Sequence, residues 1–449
     1  SVQQVNFTVP SEFSCTDFDL DGYNTTAGSC GIVLDCNDNN AGINPGVLEI
    51  CGDGIDNNCA GGVDEGCVIP TSFCAPLPPA TGTTITVSPS QASSLDTIVS
   101  TAATGTTILL QDGTYVIDAM LDFNNPQVTL RSQSGNRDAV ILDGNYVVGE
   151  VIYIDVSNAM VADLTIRKAF YHDLHAVSGA DNLMIYNVKF LDARQQFVKV
   201  NSLAQVPMLN GTLACSHFEL TDAGRPQIDN VPGISDCYTG GFDAHDANNW
   251  VVRDNVIKNI YCSGRTNVAE HGIHFWQGGL SPLIERNILI NNSRGIGLGL
   301  IGNGITGGTI RNNFIYANIA QYDSGIGIED TPSVLIYHNT IYSTQGVFNV
   351  PIDLRGTLTT STTIVRNNLH EPAISVRNGA TPIVSNNVRA TAGMFVNLND
   401  ANLHLLSTAS SVINQGVNVG VTQDIDGDIR DTSPDVGADE FVSGAGDTI

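Results

Sequence analysis

Seven short segments between residues 183 and 388 repeat one pattern, a few apolar or β-branched residues followed by an asparagine. They read LMIYNVKF, VVRDNVIKNI, LIERNILINN, TIRNNFIY, VLIYHNTIY, TIVRNNLH and PIVSNNV, with the recurring asparagines at Asn187, Asn255, Asn287, Asn313, Asn339, Asn368 and Asn387. From Asn255 onward the gaps are 32, 26, 26, 29 and 19 residues, and the gap of 68 before Asn255 allows one missing beat. A period of roughly 20 to 30 residues in β-rich, helix-poor sequence specifies a parallel β-solenoid, in which every coil stacks on the one before it. Inward asparagines at the turns would satisfy one another's amides along the stack. An antiparallel sandwich would instead place a hairpin turn every ~8 to 12 residues. The expected fold class is therefore all-β.

A second strand recurs after each asparagine: DLHAVSG, QFVKVNS, GFDAHDA, GIHFWQG, GIGLGLI, GIGIEDT, PIDLRGT and AISVRNG. Alternation turns Leu174, Val198, Phe242, Ile273, Ile296 and Ile326 inward and the residue after each outward. The outward column is then His175, Lys199, Asp243, His274, Gly297, Gly327 and Asp353. A neighbouring column holds Asn201, His245, Trp276, Gly299, Glu329 and Arg355. Parallel strands stack ~4.8 Å apart, so His175, Lys199, Asp243 and His274 would form a continuous polar ladder. Outward strand positions are ordinarily polar, and exposed ion pairs contribute only about 0 to 1 kcal/mol. The joint pattern is less ordinary: the chain has nine histidines, and His175, His245, His271 and His274 all project to this region. Gly297 and Gly299 would leave a bare floor, and Trp276 offers an apolar platform for a sugar ring. As outward residues, Lys199 and His245 should each tolerate alanine at a stability cost within roughly 1 kcal/mol.

Such a face could cleave an anionic sugar polymer by β-elimination, in which a base removes the proton beside a carboxylate and a cation neutralises the developing charge. Lys199 is the candidate base. Arg294, Arg265 and Arg286 are candidate neutralisers, and Asp243 with Asp246 or Glu270 could seat calcium. Beside Asp243, Lys199 would keep its proton and serve as a cation instead. Hydrolysis would need two carboxylates roughly 5 to 10 Å apart, for which Asp243 and Asp246 are the candidates. The stretch YTGGFDAHD is similar to the Tyr-Gly-Phe-Asp-Pro-His motif of mannuronan C5-epimerases. The resemblance implies that Tyr238, Asp243 and His245 take part in proton transfer at C5. Phe242, Asp243, His245 and Asp246 match, whereas Thr239, Gly240 and Gly241 displace Tyr238, and Ala244 replaces the proline. The segment RQQFVKVNS is similar to the lysine-bearing strand of chondroitinase-B-like and alginate lyases, which implies Lys199 as base and calcium on the substrate carboxylate. Over most of the chain the coils resemble the right-handed parallel β-helix of secreted bacterial polysaccharide lyases and epimerases.

Seven of the ten cysteines, Cys15, Cys30, Cys36, Cys51, Cys59, Cys67 and Cys74, lie in the first 74 residues; the others are Cys215, Cys237 and Cys262. Clustered beside Asp and Gly rather than in Cys-x-x-Cys pairs, they read as disulfides of an oxidising compartment. With seven and three, either one bridge joins the two regions or each region keeps a free thiol. Residues 11–67 have almost no apolar periodicity, which favours a loop-dominated unit held by disulfides. Within it DFDLDG has the D-x-D-x-D-G spacing of a calcium (Ca2+) loop, offering Asp17, Asp19 and Asp21. Gly28 stands where an EF-hand needs glutamate, so a helix-loop-helix hand is not expected. Asp35, Asp38, Asp53, Asp56, Asn58 and Asp64 offer further oxygens. The elements DFDLDGY, DCND, NPGVLEIC, GDGIDNNC and VDEGC resemble the metal-binding motif of bacterial surface proteins, departing from it at Ala60-Gly61, where the family has Asp-Gly. An oxygen-rich, histidine-free ligand set argues for calcium over the copper ascribed to some relatives.

The balance of 46 acidic against 19 basic residues, a formal charge of -27, excludes nucleic acid as a partner and requires a metal or local basic patch before an acidic polysaccharide can bind. No run reaches the ~20 apolar residues of a membrane span. The start, SVQQVNFTVPSEF, lacks a basic n-region and apolar h-region and reads as a processed end. A secreted or cell-surface location is expected. Near the end, DIDGDIRDTSPDVGADEF resembles the closing segment of bacterial cell-surface β-helix proteins, with Asp426, Arg430 and Asp435 expected to tie down the last coil. The expected organisation is a metal-binding module over 1–69, a linker and N-cap over 70–104, and the β-helix over 105–449. The expected function is C5-proton abstraction from an acidic polysaccharide, giving elimination or epimerisation. The second expectation is a non-catalytic, calcium-binding surface or matrix protein with the solenoid as spacer. Fold alone decides neither.

Overall fold

Strands of three residues, such as Val251–Arg253 and Val256–Lys258, have too few ladder bonds to persist in isolation. They persist here because each is paired on both sides by the equivalent strand of the coils before and after it. The result, in the computed structural model, is a parallel β-helix of three sheets with 12, 10 and 11 strands. The structure describes residues 73–229, 237–263 and 268–442 and, before these, 17–19, 21–23, 34–40, 43–45, 56 and 59. The chain divides into two compact units, Ser1–Thr71 with Val442–Thr448 and Ser72–Phe441 with Ile449. No helix among the described residues is long and apolar enough to cross a membrane.

In nine of the coils two residues turn the chain from the first sheet into the third. The leading one adopts a left-handed backbone, with φ between 51° and 58° at Asp163, Asn187, Cys215, Asp254, Arg286, Asn312, His338, Asn367 and Asn386, a conformation that Asn and Asp tolerate best. The second turns inward and builds the ladder. Asn255 Nδ2 donates to Asn287 Oδ1 at 2.9 Å, and the chain of amides continues through Asn313, Asn339, Asn368 and Asn387 at 2.9 to 3.0 Å. Asn187 is a correction to the expected series. It occupies the left-handed position one residue early, donates to Asp163 at 2.8 Å and accepts from Arg137. The missing beat is Ser216, whose backbone N–H donates to Asn255 Oδ1 at 2.8 Å.

The interior is filled as alternation demands. Leu174, Val198, Phe242, Ile273, Ile296 and Ile326 are all fully buried in one continuous core. Where the amide ladder is absent, aromatic rings stack, with Phe190 and Phe218 centroids 4.6 Å apart. The first sheet begins at Thr84–Val87, paired with Thr107–Leu110, and the helix Leu95–Thr101 inserts Leu95 and Val99 into the core near the N-terminal edge, covering strand groups that would otherwise invite pairing. The C-terminal segment does not close the last coil. It lies along the outer face of the third sheet, burying Phe395, Leu403, Leu405 and Val436 against Phe314, Tyr316, Tyr342 and Leu369. Arg430 fastens it there, bonding Asn312 at 3.1 Å and Glu440 at 3.0 Å, while Asp435 accepts from the Asn414 and Phe441 backbone and Asp426 from His404. Of the two cysteine arrangements, one bridge joining the regions is realised, as Cys74–Cys215; Cys237–Cys262 and Cys36–Cys59 are local.

Candidate active site on the second sheet

Strands His172–Val177, Gln196–Asn201, Gly240–His245, His271–Gln277, Arg294–Leu298, Ser324–Glu329 and Val350–Arg355 lie side by side in the second sheet. Their register pairs His175 with Lys199, Lys199 with Asp243, Asp243 with His274, His274 with Gly297, Gly297 with Gly327 and Gly327 with Asp353. The outward column is therefore continuous. It is not solvated: Lys199 is 8%, Asp243 4% and His274 3% exposed. The neighbouring column breaks where a register shift between Ala244 and His245 pairs His245 with Gln277 instead of Trp276. Trp276 comes edge-on to His245, with ring centroids 4.7 Å apart.

The ammonium of Lys199 donates to Asp243 Oδ2 and lies 3.0 Å from His245 Nε2. His245 Nε2 is 3.4 Å and His274 Nδ1 3.3 Å from the same carboxylate, on Oδ2 and Oδ1 respectively. Burial alone would push the Asp243 carboxyl up, but the charge of Lys199 and the two imidazoles outweigh it and hold the group well below the usual carboxylate range. Asp243 is thus a buried, ionised hub. Beside it opens a pocket of about 180 Å³ lined by Gln196, Tyr238, Asp243, Glu270, His274, Trp276, Leu300 and Ile301. Lys199 sits behind Asp243 and off this lining. Glu270 Oε2 stands 4.0 Å from both His271 Nδ1 and His274 Nδ1 and 3.9 Å from Arg294 Nη1. Arg294 is held on its other side by Asp323 at 2.7 Å. Burial, and then the neighbouring His274 and Arg294, hold the His271 imidazole well below its ordinary pKa. Asp243 Oδ1, His271 Nδ1 and His274 Nε2 have no hydrogen-bond partner among the described residues.

Several expected members are elsewhere. His175 shares the column with Lys199 but bonds Glu150 and Asn201. Asp246 adopts φ 50°, accepts from Ser202 and lines a separate pocket with Gln205 and Gln277, whereas Asp243 lines the first. Arg286 lies at the corner between the first and third sheets, bonded to Asp254 and Glu285. Arg265 lies outside the described residues. Gly297 is not a bare floor, since a Cβ there would meet His271 Nε2 at 2.5 Å; Gly299, with φ 77°, is required by the close passage of the Glu329 carbonyl. Glu329 does not face the pocket's centre but grips its lip, accepting from the backbone of Ile301 and Gly302 at 3.1 Å. Trp276 Nε1 holds the Leu300 carbonyl at 2.9 Å. The lip presents Ile301, 76% exposed and left-handed at φ 56°, a strained state for a β-branched residue. Sequence reading missed Gln196, Leu300 and Ile301; the loss of alternation in GLGLIGNG was the available signal for the lip.

In the N-terminal unit, ligand oxygens of Asp17, Asp19 and Asp38, and of Asp19, Asp21 and Asp35, lie within 4.8 Å of one another. Asp19 Oδ2, Asp21 Oδ2 and Asp35 Oδ2 are buried without a hydrogen-bond partner among the described residues. Desolvation, then the charges of Asp21, Asp35 and Asp17, pushes the Asp19 carboxyl up. Converging carboxylates with buried, unpartnered oxygens fit a hard cation. Asp56 belongs to neither cluster, and Asp53, Asn58 and Asp64 lie outside the described residues.

Residues 266–410 match the family model for a right handed beta helix region, and residues 35–65 match that of a metal-binding motif. No curated protein matches the chain. Among solved structures it is similar to the pectate lyase Pel9A, with a TM-score of 0.56 and 16% identity over 81% of this chain and 97% of that one. An alginate lyase from Paenibacillus sp. str. FPU-7 aligns with a TM-score of 0.40 and 15% identity over 69% of this chain and 96% of that one. The A-module of the Azotobacter vinelandii mannuronan C-5 epimerase AlgE6 aligns at 0.37 and 14% over 67% and 94%. The solenoid is a right-handed parallel β-helix.

Proposed function

We propose that this pocket is the active site of a secreted enzyme that abstracts the C5 proton of a uronate in an acidic polysaccharide, with elimination or epimerisation as the outcome. The observation that carries the reading is the buried Lys199–Asp243–His245 cluster opening beside a pocket walled by Tyr238 and Trp276. A buried ion pair is weak support for stability, because desolvation offsets the attraction; buried, coupled charges in a cleft are more often found where protons are handled. Lysine has only donors, so with its ammonium on Asp243 and its second contact on His245 Nε2, that nitrogen accepts and Nδ1 keeps the hydrogen. In this reading the unprotonated Nε2 of His245 takes the C5 proton, exchanging its contact with Lys199 for it, while Lys199 stays an ammonium that offsets the developing charge, Asp243 fixes both, and Tyr238 is the hydroxyl facing the ring from the pocket wall. Arg294 supplies the positive charge that a carboxylate needs on a chain with formal charge -27. Calcium is the cation proposed for the N-terminal carboxylate clusters. The fold is one that supports lyase chemistry in the similar pectate lyase.

The test is incubation with pectate, alginate and glycosaminoglycans, with and without calcium, followed by ultraviolet absorbance for unsaturated ends and NMR for epimerised sugars. Activity on one of these is expected, and His245→Gln should lower it at least ~100-fold. Silence by both readouts across the panel would favour the non-catalytic surface protein instead. Lys199→Ala is a poor probe, since it would strand the Asp243 carboxylate at an expected cost of ~3 to 5 kcal/mol. That estimate replaces the roughly 1 kcal/mol expected of an outward residue. The paired change Lys199→Met with Asp243→Asn keeps the volume, removes both charges and should abolish turnover while the melting temperature changes little.

A further inference from the structure

We propose that Glu270, His271 and His274, completed by Asp243, form a binding site for a borderline transition-metal ion, Zn2+ in the first instance, at the base of the pocket. One ligand atom from each of Glu270, His271 and His274 lies within 4.8 Å of the others. The two Nδ1 to Oε2 separations are 4.0 Å, and Asp243 Oδ1 is 3.3 Å from His274 Nδ1. Zn–N and Zn–O bonds of ~2.0 to 2.2 Å give tetrahedral edges of about 3.3 to 3.5 Å, so the two edges from Glu270 need to close by about half an ångström, and the edge from Asp243 to His274 is already of that length.

His271 is the independent observation. It is 3% exposed, yet its Nδ1 has no hydrogen-bond partner among the described residues, and the same is true of Asp243 Oδ1. A buried imidazole nitrogen is ordinarily bonded. Residues 271 and 274, three apart on one strand, would fall on opposite faces of a regular ribbon, but here their rings lie 4.2 Å apart at 33°. The ring of His271 reaches this side because Gly297 on the next coil has no side chain to block it. Two nitrogen and two oxygen donors suit zinc, whereas calcium takes oxygen alone. The site therefore differs in kind from the carboxylate clusters of the N-terminal unit. Binding does not depend on the proposed function; only the ion's role does, which would be to draw charge from a uronate carboxylate seated between Glu270 and Trp276.

The experiment is calorimetric titration of the full chain, stripped with chelator and then held in excess calcium to fill the acidic clusters, with Zn2+, alongside Co2+ absorption spectra. One ion per chain that calcium does not displace, with the visible bands of a tetrahedral cobalt site, is expected. Glu270→Gln, on a partly exposed side chain, should weaken it at least about tenfold, and His271→Gln should remove it. The proposal is overturned by no zinc uptake in excess calcium, or by uptake that both variants leave unchanged. No substrate enters this measurement, so zinc binding without activity on any polysaccharide would remove the enzymatic reading and leave the site standing.

Discussion

At the scale of single residues, the inward asparagines are the best determined part of the chain. Asn313 gives its amide hydrogens to Asn339, Ile284 and Arg311 and accepts from the Asn287 backbone and side chain. Asn313→Ala should therefore cost about 3 kcal/mol or more, because several buried groups lose their partners at once. Asn187→Ala, at a partly exposed left-handed corner, should cost only about 1 to 2 kcal/mol; denaturant midpoints of the two variants give the comparison. The two sites are easily confused in sequence because the corner residue and the ladder residue are neighbours and both favour asparagine. The burial of Lys199 and Asp243 was not legible, since outward parity says which face a side chain takes and nothing of the walls raised beside it by Tyr238, Leu300 and Ile301.

At the scale of elements, the period predicted the strands and their pairing well, because inward apolar residues and a fixed repeat leave one register that keeps the core dry. All seven positions from His175 to Asp353 pair as the alternation requires. The register shift at Ala244/His245 broke the second column, and a bulge of this kind has no compositional mark beyond an ordinary strand. The C-terminal segment was misplaced for a different reason. Its acidic, glycine-rich sequence signals a fixed irregular structure but does not say which face receives it. Arg430→Ala is expected to leave Glu440 and three backbone carbonyls without their buried donor and to lower stability by ~3 to 5 kcal/mol. A thermal melt of the variant should show it, together with exposure of Phe314, Tyr316 and Tyr342 to an apolar dye.

At the scale of the whole molecule, buried histidines and buried carboxyls answer acid in opposite senses: burial pushes Asp424 up to about 7 and raises Asp173 as well, so these two favour the fold on acidification, whereas His172 and His338 oppose it. Burial lowers the pKa of His172 to about 4 and of His338 to about 3, whereas in the unfolded chain both titrate near ~6.5. Below that value the unfolded chain takes up protons that the native histidines refuse, so the contribution of these two residues to stability rises with pH between about 4 and 6.5 and is lost as the solution is acidified through that window. Melting temperatures of the native chain and of His172→Gln across pH 4 to 7 check the direction: the native chain should lose stability relative to the variant as the pH falls. The coils that carry Asp243 and His274 have a further property. In them the amide ladder through Asn255 and Asn287 overlaps with the aromatic packing of Phe242, Trp250 and Phe275, so both stacking systems grip the same stretch of sheet. The pocket is consequently cast on a doubly braced template with one exposed edge, the lip at Ile301. On the proposed function such a surface would select by rejection: a sugar residue of the wrong ring pucker or stereochemistry would meet a wall held from two sides, and discrimination would come from shape already in place before the polymer arrives.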